Sequence, residues 1–234
     1  MPVVGKRAVW LLLAFVVGCT KTAPEALPKP PRVLSIAPTA ERARLLVVLH
    51  GVGSNADNMF ETAKVLAPMA PDAEVLIPDG LFPWSGGPSG REWYSLQNIT
   101  DAERAGRVEP AAVALSAWLD EELASRKLDG SKLIVVGFSQ GAGLAEWLAV
   151  RRKPAPVAIA LSGRFFEASG AKAEGARVLV VHGTDDRVVP LAYGQMAFTQ
   201  LQARGANVEL EVFPQLGHTI DQRVLSRVQQ FLTR

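Results

Sequence analysis

The stretch Leu133-Ile134-Val135-Val136-Gly137-Phe138-Ser139-Gln140-Gly141 decides how the chain reads. Its first four residues form a continuous apolar run, as in a strand buried on both faces. From Gln140 to Arg152 the pattern becomes helical. Between the two stands G-x-S-x-G. A strand that turns into a helix over so few residues forces the serine hydroxyl outward on a strained turn, and the flanking glycines relieve the crowding. Without that context the same residues are a glycine-rich turn whose serine caps a helix.

Similar apolar runs occur at Leu45–Leu49, Val75–Ile77, Val157–Leu161 and Val178–Val181. Val208–Phe213 alternates apolar and acidic residues, which suits a strand near the sheet edge. Helices are expected over Glu109–Lys127, with Pro110 in the first turn, over Leu191–Arg204 and over Ile220–Leu232. Strands alternating with helices predict an α/β domain with a doubly wound, mostly parallel sheet flanked by helices. Only Ser162 to Ala176 separates two of the strands, so a minimal lid, or none, is expected over an open cleft.

The chain has 234 residues and is 48% hydrophobic, which excludes a disordered or low-complexity protein as the whole answer. One cysteine excludes an internal disulfide framework and a multi-cysteine metal site, and three histidines leave little for a histidine-rich one. No metal and no cofactor are expected. A dinucleotide site is not indicated, because Gly51-Val52-Gly53 is only a fragment of G-x-G-x-x-G.

The formal charge of +2 belongs to the N-terminus. Lys6 and Arg7 are the only charges in the first 18 residues, and the remaining 23 cations balance 23 acids. That balance gives no basic patch for nucleic acid. Residues 8–18 (AVWLLLAFVVG) carry no charge and are too short to span a bilayer as a helix, which takes about 20 residues. They fit the apolar region of an export signal. The sole cysteine, Cys19, follows directly. This arrangement resembles a bacterial lipoprotein signal, which implies removal of residues 1–18, lipidation of Cys19 and anchoring to a membrane of the bacterial cell envelope. Residues 19–40 hold Pro24, Pro28, Pro30, Pro31 and Pro38 and read as an extended tether, with Val33–Ile36 its one candidate strand. Residues 41–234 are then the folded domain.

In sheets of this kind ligands sit beyond the carboxyl ends of the strands. The residues there are His50-Gly51-Val52-Gly53, Asp79-Gly80, the Ser139 turn, Ser162-Gly163, His182-Gly183-Thr184-Asp185-Asp186 and Gly217-His218. A serine hydroxyl needs a base beside it, and the base needs an orienting acid. His218 is the base expected, on a loop that Gly217 allows to be tight. His50 and His182, each directly at a strand end, are read as buried rings bonded to loop backbone. Asp185 and Asp186 both lie between the serine and His218 in chain order, where the acid belongs. The amides of Gln140 and Val52 are the expected oxyanion donors. Trp93, Phe165 and Phe166 are candidate apolar walls, while Arg91 and Arg187 are read as solvated.

Together these residues resemble the α/β-hydrolase fold, and more narrowly the phospholipase/carboxylesterase family that includes acyl-protein thioesterases. His182-Gly183-Thr184-Asp185-Asp186-Arg187-Val188-Val189-Pro190 is similar to that family's HGxxDxxVP, which selects Asp186 over Asp185. The resemblance implies Ser139 as nucleophile, Asp186 as orienting acid, His218 as base, and Val52 and Gln140 as oxyanion donors. The implied function is hydrolysis of carboxylic or thio esters through an acyl-enzyme, on a small-molecule or lipid-like ester. The alternatives are a peptidase or polyester depolymerase with the same triad, or a non-catalytic binding lipoprotein. One departure is Trp93-Tyr94-Ser95, where family members often carry Trp-Phe-Asp.

Overall fold

The computed structural model describes residues 28–167 and 169–234. The expected export signal, Cys19 and the start of the tether therefore lie outside the described residues. The strands are β1 (Val33–Ile36), β2 (Arg44–Leu49), β3 (Ala73–Pro78), β4 (Phe82–Pro83), β5 (Arg91–Glu92), β6 (Leu133–Phe138), β7 (Val157–Leu161), β8 (Arg177–Gly183) and β9 (Asn207–Phe213). The helices are α1 (Ala56–Leu66), α2 (Asp101–Ser125), α3 (Gln140–Arg151), α4 (Leu191–Ala203) and α5 (Gln222–Leu232).

Among the described residues seven strands form one sheet in the order β1-β3-β2-β6-β7-β8-β9, and β4-β5 is a separate hairpin. Only β1 runs antiparallel within the large sheet. This is the doubly wound α/β architecture the apolar runs require. Successive side chains of β2 go to opposite faces, as strand geometry dictates. Leu45, Val47 and Leu49 pack with α2, α3 and α4, while Leu46 and Val48 pack with α1 and α5. Both faces of the sheet are thus covered; of the parallel strands, the edge strand β9 alternates and points Glu209 and Glu211 to one face, where Arg227 pairs with both.

Two boundaries and one helix differ from the sequence reading. The folded body begins before residue 41, because β1 pairs with β3 from Val33↔Pro78 to Ile36↔Val75. Arg32, inside the expected tether, bonds Asp57 and Asp79 as well. Helix α2 starts at Asp101 rather than near Pro110. Thr100 and Glu103 make a reciprocal capping box there, which fixes the start of the helix and leaves Pro110 inside it. Helix α1 was not anticipated: it is capped by Asn55, whose side chain accepts from the Asn58 amide, and it buries the small residues Ala56 and Ala63 beside Met59 and Leu66. Among the described residues no helix or strand lies between β7 and β8.

Candidate active site

The strand order reverses between β2 and β6: the chain leaves β2 toward β3 and returns on the other side. A crevice beyond the strand ends is expected at such a point. Leu49 of β2 lies opposite Gly137 of β6, and Phe138 opposite Leu161 of β7. The Ser139 turn is therefore flanked by the loops that leave β2 and β7.

Ser139 has φ +54° and ψ −112°, a conformation that costs a non-glycine residue about 1–3 kcal/mol. Its surroundings hold it there. Its amide donates to the Leu161 carbonyl at 2.8 Å, and its carbonyl accepts from Ala142 at 3.1 Å. A Cβ on Gly137 would lie 2.1 Å from the Gly141 oxygen, and one on Gly141 would lie 2.5 Å from the Leu49 oxygen. Both glycines are required by backbone approach.

The Asp186 turn and the His218 loop are tied to each other before either side chain is considered. Thr184 N donates to Phe213 O at 3.0 Å, Asp185 N to Leu216 O at 3.0 Å, and Gln215 N to Thr184 Oγ1 at 2.9 Å. Asp186 Oδ2 then meets His218 Nδ1 at 2.8 Å, while Oδ1 accepts from Val188 N at 3.0 Å and Val189 N at 2.8 Å. Burial alone would raise the Asp186 carboxyl; the bonds from His218, Val189 and Val188 outweigh it and hold the group below the usual carboxylate range. Asp185 is exposed and accepts from Thr184 Oγ1.

With Nδ1 committed to Asp186, Nε2 is on the opposite side of the His218 ring. His218 packs its ring 4.7 Å from that of Phe138 and keeps 16% of its side chain exposed. It lines a cavity of about 380 Å³ together with Ser139, Gly51 and Val52. A second cavity, of about 150 Å³, opens on the other side of Ser139 and is lined by Val52, Tyr94, Gln140 and Phe166, among others.

The loop after β2 is braced by the β4–β5 hairpin. Gly53 N donates to Arg91 O at 2.8 Å, and Arg91 N donates to Ser54 O at 2.7 Å. The Arg91 guanidinium bonds the carbonyls of Gly80 and Leu81. It is a structural clamp rather than the solvated cation expected from the sequence. Val52 sits within this braced loop, and Gln140 opens α3. The first amides of a helix have no intrahelical acceptor. Sequence reasoning gave Gln140 only its amide. Its side chain also holds the adjacent wall: Oε1 accepts from Trp93 N at 2.9 Å, and Nε2 donates to Tyr94 O at 2.7 Å.

The other two histidines are structural. His50 is fully buried; Nδ1–H donates to Gly51 O at 2.7 Å, and Nε2 accepts from Gly80 N at 2.8 Å. Both ring nitrogens are spent on backbone, and burial pushes the pKa down. His182 donates from Nε2 to Val189 O at 2.8 Å, which pins the turn that carries Asp186. Burial lowers its pKa too.

Two expected walls are not walls. Trp93 is fully buried and donates its indole N–H to His50 O at 2.9 Å, so it supports the loop from behind. Phe165 is buried against the Arg204 guanidinium and lines neither cavity. Phe166 does line the smaller one. Tyr94, Leu96, Arg104, Arg164 and Val188 were missed.

The match to known proteins agrees with this geometry. Residues 32–234 fit the family model described as Phospholipase/Carboxylesterase. The chain belongs to the phospholipase/carboxylesterase family. It is 32% identical over 189 residues to Esterase YpfH of Escherichia coli, covering 80% of this chain and 81% of that protein. The solved structure of esterase PE8 superposes with a TM-score of 0.76 at 30% identity, covering 86% of this chain and 96% of that one. The Bacillus cereus carboxylesterase, at 20% identity and TM-score 0.73, covers 86% and 93% and shares the fold. As a phospholipase/carboxylesterase family member the chain is a hydrolase of the carboxylesterase/phospholipase type.

Proposed function

We propose that the protein is a lipid-anchored serine esterase that cleaves carboxylic or thio esters through Ser139, His218 and Asp186. The observation that carries this reading is the Asp186–His218 bond at 2.8 Å, with His218 and the strained Ser139 lining one cavity. The Ser139 hydroxyl attacks the ester carbonyl and gives its proton to His218 Nε2. Asp186 holds the ring in the required tautomer and stabilises the imidazolium. The developing oxyanion is received by the amides of Val52 and Gln140, where each donor is typically worth about 3–4 kcal/mol of barrier. His218 then protonates the leaving alcohol or thiol. A water molecule, deprotonated by His218, attacks the acyl-enzyme and releases the acid.

The reading is tested on the full chain by turnover of p-nitrophenyl esters of increasing acyl length. Ser139→Ala should lower kcat by about 10⁴-fold or more without loss of the folded state; full activity in that variant sinks the reading.

The envelope location is part of the same proposal. It rests on the apolar residues 8–18 followed at once by the only cysteine, Cys19. Stable attachment takes two or more acyl chains, which a lipidated N-terminal cysteine supplies. A Cys19→Ala variant should leave the membrane fraction; if it still partitions with membranes, Cys19 is not the anchor.

A further inference from the structure

Two cavities meet at Ser139, and the proposed chemistry gives each a side. A general acid must touch the oxygen it protonates, so the leaving oxygen lies against His218 Nε2 and the group attached to it extends along the His218 side. The cavity of about 380 Å³ is lined by His218 and not by Gln140; the cavity of about 150 Å³ is lined by Gln140, an expected oxyanion donor, and not by His218. Ser139 and Val52 border both.

The two differ in room. Roughly 150 Å³ is enough for a benzene ring, a group of six carbons. The cavity of that size is bounded by Tyr94, Leu96 and Phe166, with Arg104 and Arg164 also in its lining. The larger one falls within the roughly 300–1,000 Å³ of sites that take whole small-molecule ligands.

They also differ in chemistry. The larger cavity has apolar walls from Met59 of α1, Phe138 and Ile220, and hydroxyls from Ser54, Thr62 and Thr219. Among the described residues none of these three hydroxyls has a hydrogen-bond partner, so each can serve a ligand. Among the described residues that line it, His218 is the only titratable side chain. A charged group placed there would lose hydration without gaining an ion pair.

We infer that the preferred substrate joins a short acyl group, of about six carbons or fewer, to a bulkier uncharged alcohol or thiol that carries hydrogen-bonding groups, the acyl part lying in the smaller cavity and the alcohol in the larger. The inference rests on Ser139 and His218 acting as proposed above. Thr62, Thr219 and Ser54 receive the polar groups of the alcohol, and Met59, Phe138 and Ile220 its carbon skeleton.

The test varies one half of the ester at a time on the full chain. In the first arm, p-nitrophenyl esters run from acetyl to dodecanoyl. kcat/KM should peak at butyryl or hexanoyl and be about tenfold or more lower for dodecanoyl. Phe166→Ala and, separately, Leu96→Ala open the smaller cavity and should move the peak to a longer chain. In the second arm the acyl group stays butyryl, and ethyl butyrate, cyclohexylmethyl butyrate and methyl 6-O-butyryl-glucopyranoside are compared by titration of the acid released. Both bulky esters should exceed ethyl butyrate in kcat/KM, the glucoside by about tenfold or more. T62V/T219V removes two hydroxyls at nearly constant volume and should lower the glucoside-to-cyclohexylmethyl ratio by about threefold or more. T62W fills the larger cavity and should lower both bulky esters relative to ethyl butyrate; where it does not fold, T62V/T219V carries this arm. A peak at octanoyl or beyond in the unsubstituted protein overturns the inference. So does ethyl butyrate matching both bulky esters, or a ratio that the valines do not move. Hydrolysis that follows neither trend leaves the esterase reading standing without this substrate class, whereas no hydrolysis of any of these esters by the folded chain defeats that reading and the inference with it.

Discussion

His50 and Asp79 stand at the ends of β2 and β3; Asp186 and His218 follow β8 and β9. The two corners hold the same residue types beyond adjacent pairs of parallel strands, yet they are built differently. At the first corner both His50 nitrogens are taken by backbone, and Asp79 is held by Arg32 and by the Ala56 amide at 2.8 Å. At the second, one nitrogen of His218 is held by Asp186 and the other is left on the cavity side with Ser139. A histidine at a strand end becomes a candidate base when one ring nitrogen is oriented by a carboxylate and the ring borders the cavity that holds the nucleophile; buried His182, whose Nε2 is held by Val189 O, does not line that cavity. When both are spent, it is a strut.

The contrast can be broken from either corner. The largest effect is expected at the second: Asp186→Asn removes the acceptor that sets the His218 tautomer and should cut kcat by about 10³–10⁴-fold. The same change at exposed Asp185 should leave kcat within about twofold. Steady-state kinetics on both variants checks this, and equal losses at 185 and 186 would erase the distinction. At the first corner, His50→Ala strands the Gly80 amide and the Gly51 carbonyl and opens a void. It should cost about 2–4 kcal/mol of stability, measured by denaturant melting. The variant should still acylate at temperatures where it is folded. A loss of acylation with no loss of stability would mean that His50 does more than brace.

A pH-dependent effect separates two buried glutamates. Glu167 is paired with Arg151 at 3.0 Å and with Arg204 and accepts from Ser169; burial alone would raise its carboxyl, but the bonds from Ser169, Arg204 and Arg151 hold it at about 2. Its contribution is present above the ordinary carboxylate range and is lost as pH falls toward 2. Glu146 has the opposite sign. Its folded pKa, about 8, lies above the unfolded value, so the folded state binds more protons between about 4.5 and 8. Stability should therefore fall as pH rises through that window. Glu146→Gln should melt like the parent near pH 4.5 and be more stable at pH 8, by on the order of 4 kcal/mol. A constant difference across the window would show that Glu146 does not titrate there.

The strands and the Ser139 turn were legible because burial on both faces leaves uninterrupted apolar runs, and because backbone crowding admits only glycine at 137 and 141. Asp186 and His218 were legible from chain order and motif. The walls of the smaller cavity were not: Tyr94, Arg104 and Arg164 come from three separate segments, and no spacing links them. Trp93 was misread for the opposite reason. Its indole N–H finds the His50 carbonyl behind the loop, a partner no local pattern reveals. Val33–Ile36 joined the sheet despite the flanking Pro31 and Pro38, because an antiparallel edge strand needs only one row of ladder bonds.

The proposed esterase activity turns on Ser139 being the nucleophile activated by His218. The most direct measurement is covalent labelling of the full chain with a fluorophosphonate, followed by peptide mapping. One label on the peptide that contains Ser139, strongly slowed in His218→Ala, is the predicted result. An unlabelled Ser139 in the folded protein, or labelling at the same rate without His218, would contradict it.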